Sequence, residues 1–173
     1  MSKAASGLFS GTKGSNSGSG TSSKPTTAQI KRNSHERIKT WAEKKIKELT
    51  GKAKKTFNTA CIVYDEVTGR YYYGRNGGYK EKGYKRNPIL FGDSKHEGML
   101  PKSSMNKYPV GNCAEVDAIN HALNTGANFK NLHITTIHTT KNQFGKYKES
   151  CENCKYAFKG KVKANYSGWK DED

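Results

Sequence analysis

The sequence predicts an α/β domain, a mixed sheet with helices on both faces. Three observations predict it. Residues 34–50 and 112–125 carry apolar residues at helical spacing. Short runs rich in β-formers lie at 58–65, 69–75 and 132–139. The resulting order is helix, hairpin, helix, strand, helix, strand. A hairpin is antiparallel, whereas strands separated by a helix call for crossovers within one sheet, so the sheet is mixed.

Residues 1–33 are expected to be a linker. They are rich in Ser, Gly, Thr and Lys, with "GTKGSNSGSGTSSKPTT" at their centre, and have almost nothing to bury. They lack the apolar run of a classical signal peptide. No stretch of the chain approaches the roughly 20 apolar residues that span a bilayer, so no membrane role is expected. The folded domain is placed at 34–173.

Within it, Ile38, Trp41, Ala42, Ile46 and Leu49 form one stripe of the first helix, with Ser34 as N-cap and Gly51 as stop. Residues 58–65 and 69–75 make the hairpin; Tyr71 and Tyr73 share one face and Tyr72 the other. Residues 77–111 hold six glycines and three prolines, and their Tyr79, Tyr84, Phe91 and Tyr108 alternate with Lys and Arg. Either this is a functional lid whose rings stack on bases, or a surface loop with its rings tucked into the core. Val116, Ile119 and Leu123 line the second helix, which Gly126 ends. Residues 132–139 are a strand. Ser150 caps a third helix running to about Phe158, and 161–166 add a strand, leaving little chain for a fifth.

The chain carries 31 Lys and Arg against 15 Asp and Glu, a net +16. Five basic residues and no acids fall in 1–33, which leaves 26 against 15, or +11, on the domain. A polyanion such as nucleic acid is the first partner this suggests; solubility or an acidic protein partner is the plainer alternative.

The four cysteines are Cys61, Cys113, Cys151 and Cys154. A Cys-x-x-Cys pair with two further cysteines is no disulfide framework, and metal or redox chemistry fits better. "NCAE" opens the second helix and "SCENC" the third. Helix N-termini favour thiolate through their dipole and free N–H groups. Cys113, Cys151 and Cys154 can therefore meet as zinc ligands, with the fourth position left to water. Glu115 then sits beside that water as a proton carrier, the arrangement of the zinc base deaminases. Alternatives remain at this stage. Asn112 and Glu115 alone make a capping-box pattern. Cys61 could join the others in a closed four-cysteine structural site within a non-catalytic nucleic-acid-binding module. Cys151 and Cys154 could serve a thiol oxidoreductase. Asn76 in "GRNGG" could bind a sugar hydroxyl or base edge, or simply make an Asn-Gly turn.

"NCAEVDAINHALNTG", followed by "LHITTIHTT" and "KESCENCKYAFKG", resembles the cytidine-deaminase-like superfamily. Within it the chain looks most like the YwqJ-like deaminases of bacterial polymorphic toxins, over about residues 34–165. Cys113 and Glu115 match the family's Cys-or-His, any residue, Glu motif, and Cys151 and Cys154 its later Cys-x-x-Cys. Ser150 stands where many deaminases have Pro, and Cys113 where many have His. The resemblance implies a three-layer α/β/α sandwich with a mixed sheet of four to five strands. It implies a zinc-dependent hydrolytic deaminase of a nucleobase, most simply cytosine in DNA or RNA. It also implies a toxin effector, secreted without a classical signal peptide, acting in a target cell's cytoplasm and neutralised by a cognate immunity protein. Glu115 is the expected catalytic residue, and Cys113, Cys151 and Cys154 the expected Zn2+ ligands. Asn76, Tyr73, Tyr108 and Ser150 are the expected substrate contacts.

Overall fold

The computed structural model describes residues 23–170. Residues 1–22 of the linker expected over 1–33, and the acidic tail at 171–173, lie outside the described residues. The first helix, α1, spans Thr27–Glu48. It starts seven residues before the expected position, because Thr26 and Gln29 form a capping box. Ser34 is therefore no cap. It lies fully buried inside α1, on a stripe with Ile30, Ile38 and Ala42. Residues 27–33 thus belong to the folded unit rather than to a linker. Trp41, Ile46 and Leu49 pack against this core from its edge.

Gly51, with φ of 58°, opens a short unforeseen helix, α2 (Gly51–Thr56). The hairpin follows as β1 (Thr59–Asp65) and β2 (Tyr71–Arg75), paired antiparallel with Ile62 opposite Tyr73. A 3-10 turn (Gly78–Lys80) and α3 (Pro88–Phe91) punctuate the long loop. Next come α4 (Ala114–Asn124), β3 (Leu132–His138), α5 (Glu152–Phe158) and β4 (Ala164–Asn165). The sheet order is β2-β1-β3-β4, with β3 antiparallel to β1 and parallel to β4. The sheet is mixed and has four strands.

Alternation along the strands divides the core between two faces. Ala60, Ile62, Tyr64, Tyr71, Tyr73 and Ile137 meet α1. Cys61, Val63, Tyr72, Leu132 and Ile134 meet α4 and α5. Helices thus cover both sheet faces, as a three-layer α/β/α arrangement requires. Helix α4 lies very close to β2 at Gly74. A Cβ there would stand 2.6 Å from the Ala114 carbonyl oxygen and would also strike the Ala118 nitrogen. Only glycine allows this approach.

The long loop is ordered by polar side chains of α4. The Asn120 Oδ1 accepts from the Asn87 backbone N–H at 2.7 Å, and Asn124 bonds the Asn87 side chain at 2.9 Å. Leu90 is buried, Phe91 packs on the core, and Tyr84 lies edge-on to His121. Tyr108 instead stays 48% exposed. The loop's rings are thus divided between core and surface. Among the described residues, no helix is long and apolar enough to cross a membrane.

Candidate metal centre

Cys113 and Cys151 occupy the N-cap positions of α4 and α5. Both helices point these ends at one spot, because each runs back along the same sheet face. Cys154 lies one turn further into α5 and is buried. The three sulfurs lie within 4.8 Å of one another and form a group able to hold a metal ion. Cys113 and Cys151 approach to 2.7 Å. Cys151 is the sulfur whose pKa its surroundings lower. Hydrogen bonds from the Cys113 and Cys154 thiols, then the backbone N–H groups of Cys154 and Asn153, hold its pKa far below the ordinary thiol value. The same bonds push the pKa of Cys113 and Cys154 up.

Cys61 is not in this group. It is fully buried in β1, its thiol turned to the Ile62 carbonyl at 3.7 Å. A site closed by all four cysteines is therefore not what the fold builds. Strand alternation sends Cys61 into the core beneath α4, opposite Thr136 in register.

Glu115 is in the first turn of α4 and 3% exposed. It does not complete a capping box, since Cys113 rather than Asn112 is the N-cap and no side chain caps the helix. Its carboxyl turns toward the sulfurs. The Ser150 hydroxyl donates to Oε2 at 2.8 Å and the Thr136 hydroxyl at 3.1 Å; the Cys154 thiol stands 3.8 Å from Oε1. Burial, then the charge of Cys151, raises the Glu115 pKa; the hydroxyls oppose this. The carboxyl is thus held in place, its pKa lying above the ordinary glutamate value.

Ser150, expected to touch substrate, is fully buried and binds Glu115 and the Asn165 amide. It positions the carboxyl instead. Tyr73 also lies away from its expected place. Its ring stacks on Trp41 at 5.5 Å, under α1, on the sheet face away from the cysteines. Asn76 spends its amide on the backbone. Its Oδ1 accepts from the N–H groups of Asn58 and Thr59, and its Nδ2 donates to the Thr56 carbonyl. It braces the turn through Gly77 (φ 75°) while also lining the cleft, with one amide hydrogen uncommitted. Tyr108 lines the same cleft as Cys113 and Cys151 and is half-exposed there.

That cleft has a volume of about 1480 Å³, and Cys113, Glu115 and Cys151 line it. The loop carrying Tyr108 is tied to the first turn of α5. Asn153 Oδ1 accepts from the Met105 N–H at 2.8 Å, and Asn106 donates to Glu152 at 3.1 Å. Thr136, Lys148 and Tyr147 also stand at the site, unforeseen in the sequence. Thr136 was detectable from strand parity, since it shares its face with Ile134. The Lys148 backbone bonds the Thr136 carbonyl at 2.9 Å, and its ammonium donates to Thr59 Oγ1 within the cleft. Burial lowers its pKa, while the charges of Glu115, Cys113 and Cys151 work the other way. Nothing in sequence marks it. His138 lines the cleft, whereas His133 is buried on the α1 side with Glu66 and Tyr166. No family model matches this chain, and neither a curated protein nor a solved structure matches it.

Proposed function

We propose that the protein is a zinc-dependent hydrolytic deaminase of a nucleobase, cytosine being the first choice. One observation carries this reading: a buried, doubly hydrogen-bonded carboxyl, Glu115, stands beside three clustered cysteine sulfurs at the floor of an open cleft. The donor set fits zinc, which takes thiolates in tetrahedral sites and keeps a position open where only three protein ligands exist. Cys113, Cys151 and Cys154 would hold it, and zinc supplies Lewis acidity that brings the pKa of a water towards about 7.

Glu115 does the proton work. Its carboxylate takes a proton from the attacking water and delivers it to the ring nitrogen of the base. It then carries the second proton to the departing amine, so that water and an aminopyrimidine become an oxopyrimidine and ammonia. Ser150 and Thr136 fix the carboxyl during both transfers, and a raised pKa suits a group that must hold a proton between them. The buried position of Cys61 leaves the four-cysteine structural reading without support. The sequence resemblance extends the proposal to a bacterial toxin effector, secreted into a target cell's cytoplasm and held by a cognate immunity protein.

The test is product analysis. Zinc-loaded protein is incubated with DNA, RNA and free nucleosides, and the bases are analysed by mass spectrometry. The expected product carries an oxo group in place of the amino group and disappears in Glu115→Gln. Deamination by a zinc-retaining Glu115→Gln protein at the parent rate overturns the role of Glu115. No product from any substrate overturns the activity.

A further inference from the structure

The cleft is larger than a lone base needs. Small-ligand pockets run to about 1,000 Å³, against about 1480 Å³ here. Its rim is also selectively charged. Lys52 and Lys55 of α2 stand three residues apart, hence on one helix face, and both line the cleft. Lys54, between them, turns away and donates to the Ile46 carbonyl at 2.7 Å. Lys107 adds a third exposed ammonium to the rim, 5.4 Å from the centre of the Tyr108 ring, so one face of that ring carries the ammonium and the other is left for a base. Lys52, Lys55 and Lys107 make no ion pair among the described residues; of the exposed rim acids, Glu81 and Glu152 are paired to Arg75 and Lys170, and Glu149 alone faces the three lysines. Unneutralised cations of this kind await an anion.

Two exposed rings complete the rim. Tyr147 is 40% exposed and is steadied by α1. Its ring lies 4.8 Å from the His35 ring, with the Lys31 ammonium 5.5 Å from its centre. Tyr108 is held on its loop by the Asn106 side chain, which accepts from the Tyr108 N–H at 2.9 Å. Rings on ordered supports among unpaired lysines are what a nucleotide strand uses for stacking and for its phosphates. Glu115, 3% exposed at the cleft floor, can be reached only by a base out of its stack. A single strand offers such a base without breaking pairs.

We infer that the cleft takes a single-stranded polynucleotide, with its phosphates along Lys52, Lys55 and Lys107 and the bases flanking the reacting one stacked on Tyr147 and Tyr108. This builds on the proposed deaminase chemistry but is separable from it, because binding needs no turnover. The experiment is fluorescence anisotropy with labelled single-stranded DNA, single-stranded RNA and duplex, using zinc-loaded Glu115→Gln protein and a range of salt. Single strands of either sugar should bind more tightly than duplex, and comparison of DNA with RNA identifies the natural source. In the Lys52→Ala/Lys55→Ala protein, the slope of log Kd against log salt should fall by about 1.4, at roughly 0.7 per phosphate contact. Tyr147→Ala should weaken binding by about 5- to 150-fold with the slope unchanged, and Tyr147→Phe should restore it. An unchanged slope in the double variant, or equal or tighter duplex binding, overturns the inference. So does displacement of the strand by a nucleoside monophosphate at comparable concentration. Were free nucleosides deaminated while strands failed to bind, the deaminase reading would stand and this one would fall.

Discussion

If the proposed deaminase reading holds, replacing Glu115 by Gln removes the proton carrier and almost nothing else. Both hydroxyl donors, Ser150 at 2.8 Å and Thr136 at 3.1 Å, use the same carboxyl oxygen, Oε2. A glutamine amide oxygen in that place keeps both bonds, and its NH2 takes the position of Oε1 beside Cys154. Burial already favours the neutral carboxyl, so a neutral amide costs little. The fold and the three-sulfur group should therefore survive, while loss of a positioned general acid–base lowers kcat by about 10²- to 10⁴-fold. Glu115→Ala is the harsher companion. It strands two buried hydroxyls, at about 1–3 kcal/mol each, and leaves a void. The assay measures product by mass spectrometry, zinc per chain by elemental analysis, and Tm. The expected pattern for Glu115→Gln is normal zinc, unchanged or higher Tm, and lost turnover. A folded, zinc-loaded Glu115→Gln protein that turns over within tenfold of the parent would refute the reasoning.

Three further variants probe the frame around the site. Cys61→Ala should keep full zinc content and lose only about 1 kcal/mol of stability from a small cavity; loss of metal would reinstate a fourth cysteine ligand. Gly74→Ala should cost at least about 1–3 kcal/mol, because the new methyl meets the α4 backbone at Ala114 and Ala118; an unchanged urea midpoint would show that α4 can move off the sheet. Asp117 is buried beneath the long loop, and burial raises its pKa above the ordinary 3.8. Its destabilising effect therefore begins as pH climbs past the unfolded value and is complete above the folded one. Asp117→Asn, whose side-chain oxygen can keep the bond from the Arg75 N–H, should gain Tm relative to the parent as pH goes from 4 to 7. The gain amounts to about 1.4 kcal/mol for each tenfold by which folding tightens the carboxyl's hold on its proton. A gain of equal size at both pH values would mean that ionisation of Asp117 is not the cause.

The sequence by itself determined the order of the four strands and the longer helices, the class of sheet and the identity of the clustered cysteines, though not the short helices α2 and α3. Those depend on local regularities: apolar residues at helical spacing in α4, alternation in β1 and β3, and two cysteine motifs at helix starts. The same regularities were enough to put Tyr71 and Tyr73 on one face and Tyr72 on the other. They could not say which face holds the site, and so Tyr73 was drawn toward a ligand when it lies under α1. Nor could they see past composition at 27–33, where a capping box and Ile30 extend α1 through a polar stretch. Only the tertiary structure decided which atoms meet across the chain. It joined Ser150 and Thr136 to Glu115, set Cys61 apart from the other sulfurs, and brought Lys52, Lys55 and Tyr147 to the cleft that Tyr108 overlooks. A helix or strand is specified by neighbours within a few residues, whereas a site joins groups tens of residues apart, whose meeting depends on how helices and sheet pack together.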